Sequence, residues 1–357
     1  MRKVRKKISY RGQKIYVGID VHKKTWSVAV CTAHTNFRPF SQESDPSLLV
    51  NYLHQNYPEG DYHCAYEAGF SGYWLQEYLT AKSINCLVIH SADIPTTDRE
   101  SEFKTDVRDA KKIAESLRAG QLHGIHLPSK LRQQERSLIR VRRHFRIDLA
   151  RQKCRIKSLL MFYGIDIPDG QDKSRWSLDF RNWLWNLELP NETGTIALRQ
   201  MMGMFCYVRG MRNHMDILIG QLGNEAHYVA PVKLLETVPG ISKKRAVKIL
   251  VELGDISRFS SLNKLCNYIG LVPATHNSGE RKREGRLTHR GHKELRMMLV
   301  EAAWVAIGID PALEQSYQNF KKRMIAQRAI IKIARKLLNR IRHVLLHQVP
   351  YEKGIVQ

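Results

Sequence analysis

Lys14–Ala33 reads KIYVGIDVHKKTWSVAVCTA. A short apolar run ends near Asp20, crosses a polar stretch, and resumes with Trp26, Val28 and Val30 at alternate positions. The pattern predicts a strand, a tight turn and a second strand. Outward from it, residues 46–57 (PSLLVNYLHQNY) carry apolar side chains at helical spacing. Residues 61–70 (DYHCAYEAGF) alternate as a strand that stops at a glycine-containing loop, and residues 71–82 (SGYWLQEYLTAK) return to helical periodicity. The nearly continuous apolar run 84–89 (INCLVI) suits a strand covered on both faces, and a helix is expected to start near Thr105. This β-β-α-β-α-β-α succession predicts a three-layer α/β domain, with a boundary at residues 1–126.

The remaining texture is helical. From Lys130 to Leu160, Arg and Lys interleave with Leu138, Val141, Phe145, Leu149, Ile156 and Leu159, with no Gly or Pro. One long basic amphipathic helix is expected, either a coiled-coil arm for dimerisation or an arm that also holds nucleic acid through Arg142, Arg143 and Arg146. The Trp-rich stretch after residue 175 and the apolar run beyond it suggest a second helical arm returning antiparallel, within a segment 127–230. A C-terminal helical domain, residues 231–347, opens at Pro231. Within it VPGISKKRAVKIL places a glycine turn between two short helices, like a helix-hairpin-helix. The second helix opens at Ser242, where free N–H groups and the side chains of Lys243 and Lys244 could meet a DNA phosphate.

The 357 residues carry a net charge of +24, which draws polyanions and points to nucleic acid. Charge alone leaves a coating protein and an enzyme equally open. The six cysteines form no C-x-x-C pair, which argues against structural zinc, and most sit among apolar neighbours as reduced thiols do. No stretch approaches the roughly 18 apolar residues that span a bilayer. The expectation is a soluble, cytoplasmic, nucleoid-associated protein.

Four acidic residues stand out. Asp20 and Glu67 each lie where an apolar strand runs out, and small residues follow Glu67. Asp106 and Asp109 are three apart in a helical segment, so their side chains share one face and repel by a few tenths of a kcal/mol unless a cation lies between them. First-turn acids favoured by the helix dipole would explain Asp106 well and Asp109 less well. Oxygen-only ligands suit Mg²⁺ or Mn²⁺, and two such ions can hold the attacking and leaving oxygens of a phosphodiester in line.

Near the C-terminal end, Ser278 is followed by Gly279 and a basic loop bearing Arg281, Lys282, Arg283 and Arg286, with Arg290 beyond it; a helix is expected from about His292. A hydroxyl beside a flexible glycine could approach a phosphate there, although it needs a base or metal to activate it. Residue types alone favour a solvated loop that grips DNA around an incidental serine.

Motifs change that weighting. GIDVHK around Asp20, YEAGFSG around Glu67, KTDVRDA around Asp106 and Asp109, then ETVPGI, LGDISRF, YIGLVPA, the NSG of Ser278 and GHKELR occur in this order. Through them the sequence resembles the DEDD-type insertion-sequence transposases of the insertion-sequence 110 family, which includes bridge-RNA-guided recombinases. The resemblance implies an RNase H-like (RuvC-like) metal domain built on Asp20, Glu67, Asp106 and Asp109. It also implies a C-terminal transposase domain whose Ser278 attacks DNA and forms a phosphoserine link. It further implies an active site completed between protomers of a homodimer or homotetramer, and a structured noncoding RNA that pairs with target and donor DNA. Two alternatives stand beside it: a RuvC-like structure-selective endonuclease in which Ser278 is structural, and a noncatalytic nucleic-acid-binding protein.

Overall fold

The computed structural model describes residues 9–35, 37–95, 105–169, 176–278, 281–288 and 290–354; the side chains of 274–278 and 281–286 are not among them. Two compact units make up the chain, Met1–Leu127 and Pro128–Gln357.

The first unit is a five-stranded mixed sheet with helices on both faces. Its elements are β1 (Lys14–Val21), β2 (Thr25–Thr32), β3 (Arg38–Glu43), α1 (Pro46–Asn56), β4 (Asp61–Glu67), α2 (Trp74–Ala81), β5 (Asn85–Ile89) and α3 (Asp106–Arg118). The strand order is β3-β2-β1-β4-β5. β3, β2 and β1 run antiparallel, whereas β4 and β5 run parallel to β1. Alternation along the strands sorts the two faces. Ile15, Val17 and Ile19 join Cys64, Tyr66 and the apolar sides of α1 and α2 in one core. Ala29, Cys31 and Ala65 turn the other way, onto Ala110, Ile113 and Ala114 of α3.

β3 is the strand that periodicity did not reveal. It is an edge strand of sequence RPFSQE with no fully buried residue, so it carries little apolar alternation. Proline in it is tolerated because an edge strand leaves some N–H positions unpaired.

Among its described residues the second unit is helical except for one hairpin. The basic helix is α4 (Lys130–Phe162), followed by α5 (Leu178–Asn186) and the returning helix α6 (Glu192–Leu222). Leu149, Ile156 and Leu160 of α4 pack on Phe180, Leu198, Met202 and Phe205, so the antiparallel pair has its own apolar seam. Val141, expected on that seam, is 40% exposed, while Ile139 is buried instead. Then come α7 (Ala226–Glu236), α8 (Lys243–Leu253), α9 (Leu262–Ile269), α10 (Lys293–Ala306), α11 (Pro311–Lys321) and α12 (Ala326–His347). Pro231, expected to open the C-terminal domain, lies inside α7. The apolar face of α12, from Ile330 through Ile333 and Leu337 to Ile341, centres the core of these helices. No described helix is long and apolar enough to cross a membrane.

The segment expected as a basic loop is a hairpin of β6 (Pro273–Ser278) and β7 (Arg281–Leu287). Ser278 pairs with Arg281, leaving a two-residue connection, the commonest hairpin length. β6 (PATHNS) is mostly polar and β7 (RKREGRL) is crowded with charge, so no apolar period marked them.

Candidate metal centre and serine hairpin

The carboxylates of the first unit converge for reasons written into the backbone. Asp20 follows Gly18 by two residues and projects from the same face of β1, the face covered by α3. In the parallel ladder Ile19 pairs with Tyr66, so Asp20 and Glu67 occupy the next rung, both on the α3 side. Gly18 sets the depth at which α3 lies. A Cβ there would stand 2.1 Å from the Ala110 carbonyl oxygen and 2.5 Å from the Ala114 nitrogen. Only glycine lets the helix come this close. Thr105 caps α3, its hydroxyl accepting from the Arg108 N–H, and Asp106 and Asp109 lie in the first turn.

His22, two residues beyond Asp20, joins the group. Its Nε2 lies 3.1 Å from Asp20 Oδ2 and 3.5 Å from Asp106 Oδ1. Ligand atoms of Asp20, His22 and Asp106 all fall within 4.8 Å of one another; Glu67, exposed at the strand end, and the half-buried Asp109 lie outside that cluster. Burial pushes the Asp20 carboxyl above its usual range, and Asp106 and Asp109 push the same way, against the opposing pull of His22. A half-buried carboxylate repelled by two others fits a divalent cation, since a cation relieves both burdens. His22 was missed because one histidine in a turn carries no pattern. The available signal was its two-residue spacing from Asp20.

In the second unit, the base of the hairpin is clamped. The Thr288 N–H donates to the Val272 carbonyl at 3.1 Å. Arg296 donates to the Thr288 carbonyl at 2.7 Å and to that of Gly270 at 3.1 Å. Gly270 (φ +82°) and Gly291 (φ +106°) touch, and a Cβ on Gly291 would stand 2.6 Å from the Gly270 nitrogen. His292 caps α10 through Nδ1, which accepts from the Leu295 N–H, while its Nε2 meets Glu252 at 3.0 Å. Burial would raise the Glu252 carboxyl, but the His292 hydrogen bond and the charges of His292 and Arg136 outweigh it and hold it below its usual range. Ser278 ends β6; its side chain and those of Arg281, Lys282, Arg283 and Arg286 lie outside the described residues, and Arg290 is exposed.

The basic residues singled out on α4 are engaged within the unit. Arg142 grips Asp216 of α6 with two bonds of 3.0 and 3.2 Å. Arg143 and Arg146 share Glu294 of α10, at 3.5 and 3.1 Å. Lys243 and Lys244 open α8, with Lys243 donating to the Asn224 side chain and Ser242 making no side-chain cap bond.

Comparison with known proteins finds matches in both units. Residues 17–165 match a family model described as "Transposase", of the DEDD IS110 type. Residues 232–318 match the "Transposase IS116/IS110/IS902 family". A putative transposase of Sinorhizobium fredii, y4qE, is 28% identical over 295 residues, covering 81% of this chain and 71% of its own length. The transposase for insertion sequence element IS1533 of Leptospira borgpetersenii is 28% identical, covering 68% and 70%. The pilin gene-inverting protein of Moraxella lacunata is also 28% identical, over 96% of this chain and 99% of its own. Both family models, which together span about two-thirds of the sequence, name one group: the chain belongs to the IS110 family of DEDD-type insertion-sequence transposases.

Proposed function

We propose that this transposase exchanges DNA strands by a serine–DNA covalent route assisted by a divalent-metal centre in an RNase H-like (RuvC-like) domain. The observation that carries the reading is the convergence of Asp20 and Asp106, with Glu67 on the same rung as Asp20 and Asp109 in the same helical turn as Asp106, at one end of β1 and β4 beneath α3. The strand order β3-β2-β1-β4-β5, with one antiparallel and one parallel flank, supports an RNase H-like fold. Asp20, Glu67, Asp106 and Asp109 would hold Mg²⁺ or Mn²⁺, with oxygen donors suited to either. When bound, the cation would draw charge from the phosphodiester and stabilise the leaving oxygen. The full-length likeness to a pilin gene-inverting protein supports recombination over simple hydrolysis.

Ser278 Oγ attacks phosphorus. The Oγ–P bond forms as one bridging P–O bond breaks, the serine proton is lost, and the departing DNA oxygen takes up a proton. The hydroxyl of a second strand then attacks the phosphoserine, restoring the serine and joining the strands, so no phosphodiester energy is lost. Arg281, Lys282, Arg283, Arg286 and Arg290 neutralise backbone phosphates around it. A homodimer or homotetramer and a structured guide RNA pairing with target and donor DNA complete the reading.

The test is to trap a reaction on a nicked substrate and map the adduct. A phosphoserine ester is expected on the peptide holding NSGERKR, lost in Ser278→Ala along with recombination but with DNA binding retained. Asp20→Ala and Asp106→Asn should abolish cleavage without unfolding the chain. Recombination by Ser278→Ala would overturn the serine route and favour a hydrolytic, RuvC-like endonuclease.

A further inference from the structure

The helical unit holds more positive charge in one cleft than its own acids neutralise. Two adjoining cavities of about 510 and 330 Å³ lie between α4, α8 and α10, sharing Ile139, Glu252, His292 and Glu294 in their walls. Each of two carboxylates there answers two cations. Asp216 faces Arg142 at 3.0 Å and Lys248 at 4.0 Å. Glu294 faces Arg143 at 3.5 Å and Arg146 at 3.1 Å. Arg140, Lys244 and Lys293 add further charge to the walls.

Hydrogen bonding is as incomplete as the charge balance. The Nε–H groups of Arg143 and Arg146 are both shut off from water with no acceptor; the Arg143 contact with Glu294 is an ion-pair distance without a hydrogen bond. A buried donor without an acceptor is costly, more so on a charged group, so the pair marks a place short of an acceptor. Lys248 reports the same field. Burial, then the charge of Arg142, pushes its ammonium down to about 8 despite the Asp216 carboxylate opposite. A cleft walled by one sign of charge concentrates the field and selects anions. It opens beside Gly291 and His292, the residues that close the serine hairpin onto α10.

We propose that this cleft is a phosphodiester-binding site, in which Arg143 and Arg146, with Arg140 and Lys293 at its mouth, hold a backbone phosphate of a nucleic-acid strand next to the base of the Ser278 hairpin. That the anion belongs to a nucleic acid rests on the proposed function; the site itself rests on the geometry of this unit. As the strand enters, the two guanidinium groups turn off Glu294 and bring their Nε–H groups to phosphate oxygens, the acceptors that these groups lack. Glu294 is then a built-in competitor, holding the arginines in place until the strand arrives.

The experiment measures binding of the full-length protein in EDTA, where no cleavage occurs, to a scrambled 20-base-pair DNA duplex and to an RNA duplex of equal length. Arg143→Gln and Arg146→Gln should each weaken binding about five- to ten-fold near physiological salt and flatten the slope of log Kd against log salt by about one. Glu294→Gln should bind several-fold more tightly than the unaltered protein, an opposite sign that neither misfolding nor a purely structural role produces. Weakening confined to one probe assigns the cleft to that strand, DNA or guide RNA. Unchanged affinity and slope on both probes, or a Glu294→Gln protein that binds no better, would overturn the proposal. Because the readout is binding without metal, failure of the Ser278 or Asp20 chemistry leaves it standing, and its own failure leaves that chemistry untouched.

Discussion

Substituting Gly18 by alanine isolates the geometry of the acidic centre from its chemistry. Carbon atoms essentially never approach closer than 3.0 Å in this setting, yet the new Cβ would stand 2.1 Å from the Ala110 carbonyl oxygen. The obstacle is helix backbone, which no rotamer change can clear, so α3 must retreat from β1 by about 0.9 Å. Overpacking of this kind costs about 1–3 kcal/mol. The retreat carries Asp106 and Asp109 away from Asp20 and Glu67, and a misplacement near 1 Å costs on the order of 10²-fold in rate. The expected Gly18→Ala protein is folded, with a lowered Tm, weakened metal binding and cleavage reduced about a hundred-fold. Thermal unfolding with and without Mg²⁺, beside single-turnover cleavage of a labelled substrate, reads all three. Wild-type cleavage with wild-type Tm would refute the claim that this close approach sets the site.

Three further outcomes follow from the same geometry. His22→Ala should keep metal-dependent cleavage within ten-fold of normal while gaining a larger Mg²⁺-induced rise in Tm, because the imidazole that bridges Asp20 and Asp106 is gone; loss of cleavage would make His22 an essential ligand instead. Glu252→Gln should destabilise by about 3 kcal/mol by leaving Arg136 and His292 without their buried partner, and Arg136→Met with Glu252→Met should recover most of it, as denaturant unfolding will read. Lys248 sets a pH dependence: the unfolded chain keeps its proton to its ordinary 10.5 and the folded chain releases it near 8. The unfolded state therefore binds more protons between these values, and stability should rise with pH across the window by at most about 3 kcal/mol; Lys248→Met should abolish that rise, and an unchanged profile in the variant would refute the assignment.

The positions of the four carboxylates were legible because they sit at element ends. Asp20 and Glu67 close strands whose apolar alternation is plain, and Asp106 and Asp109 follow a capping threonine, so the element that bears each is readable from the sequence. The two long helices were legible for the same reason, being periodic and free of proline. What was hidden depends on distance along the chain. Arg142 looked like a solvent-facing cation because its partner Asp216 lies 74 residues away. The clamp on the serine hairpin joins Arg136, Glu252 and His292 from three elements, none informative alone. β3 and the hairpin escaped because edge and charged strands have little apolar pattern to read.

The unbroken α4 gives the unit a lever. Its base is fixed by Ile139 in the C-terminal core and by Arg132 and Arg136, which donate to carbonyl groups at the end of α8. Its far half belongs to a separate apolar seam, ending at Met161 and Phe162, both more than 80% exposed. From Ile139 to Phe162 the rod runs about 35 Å, so a tilt of roughly 5° at the base sweeps the tip through about 3 Å. With no glycine or proline to absorb bending, the converse also holds: a load applied at the tip arrives at the base as torque. Arg143 and Arg146 stand just past that fulcrum, each tied to Glu294 on the first turn of α10, so the torque is delivered to the helix on which the serine hairpin closes.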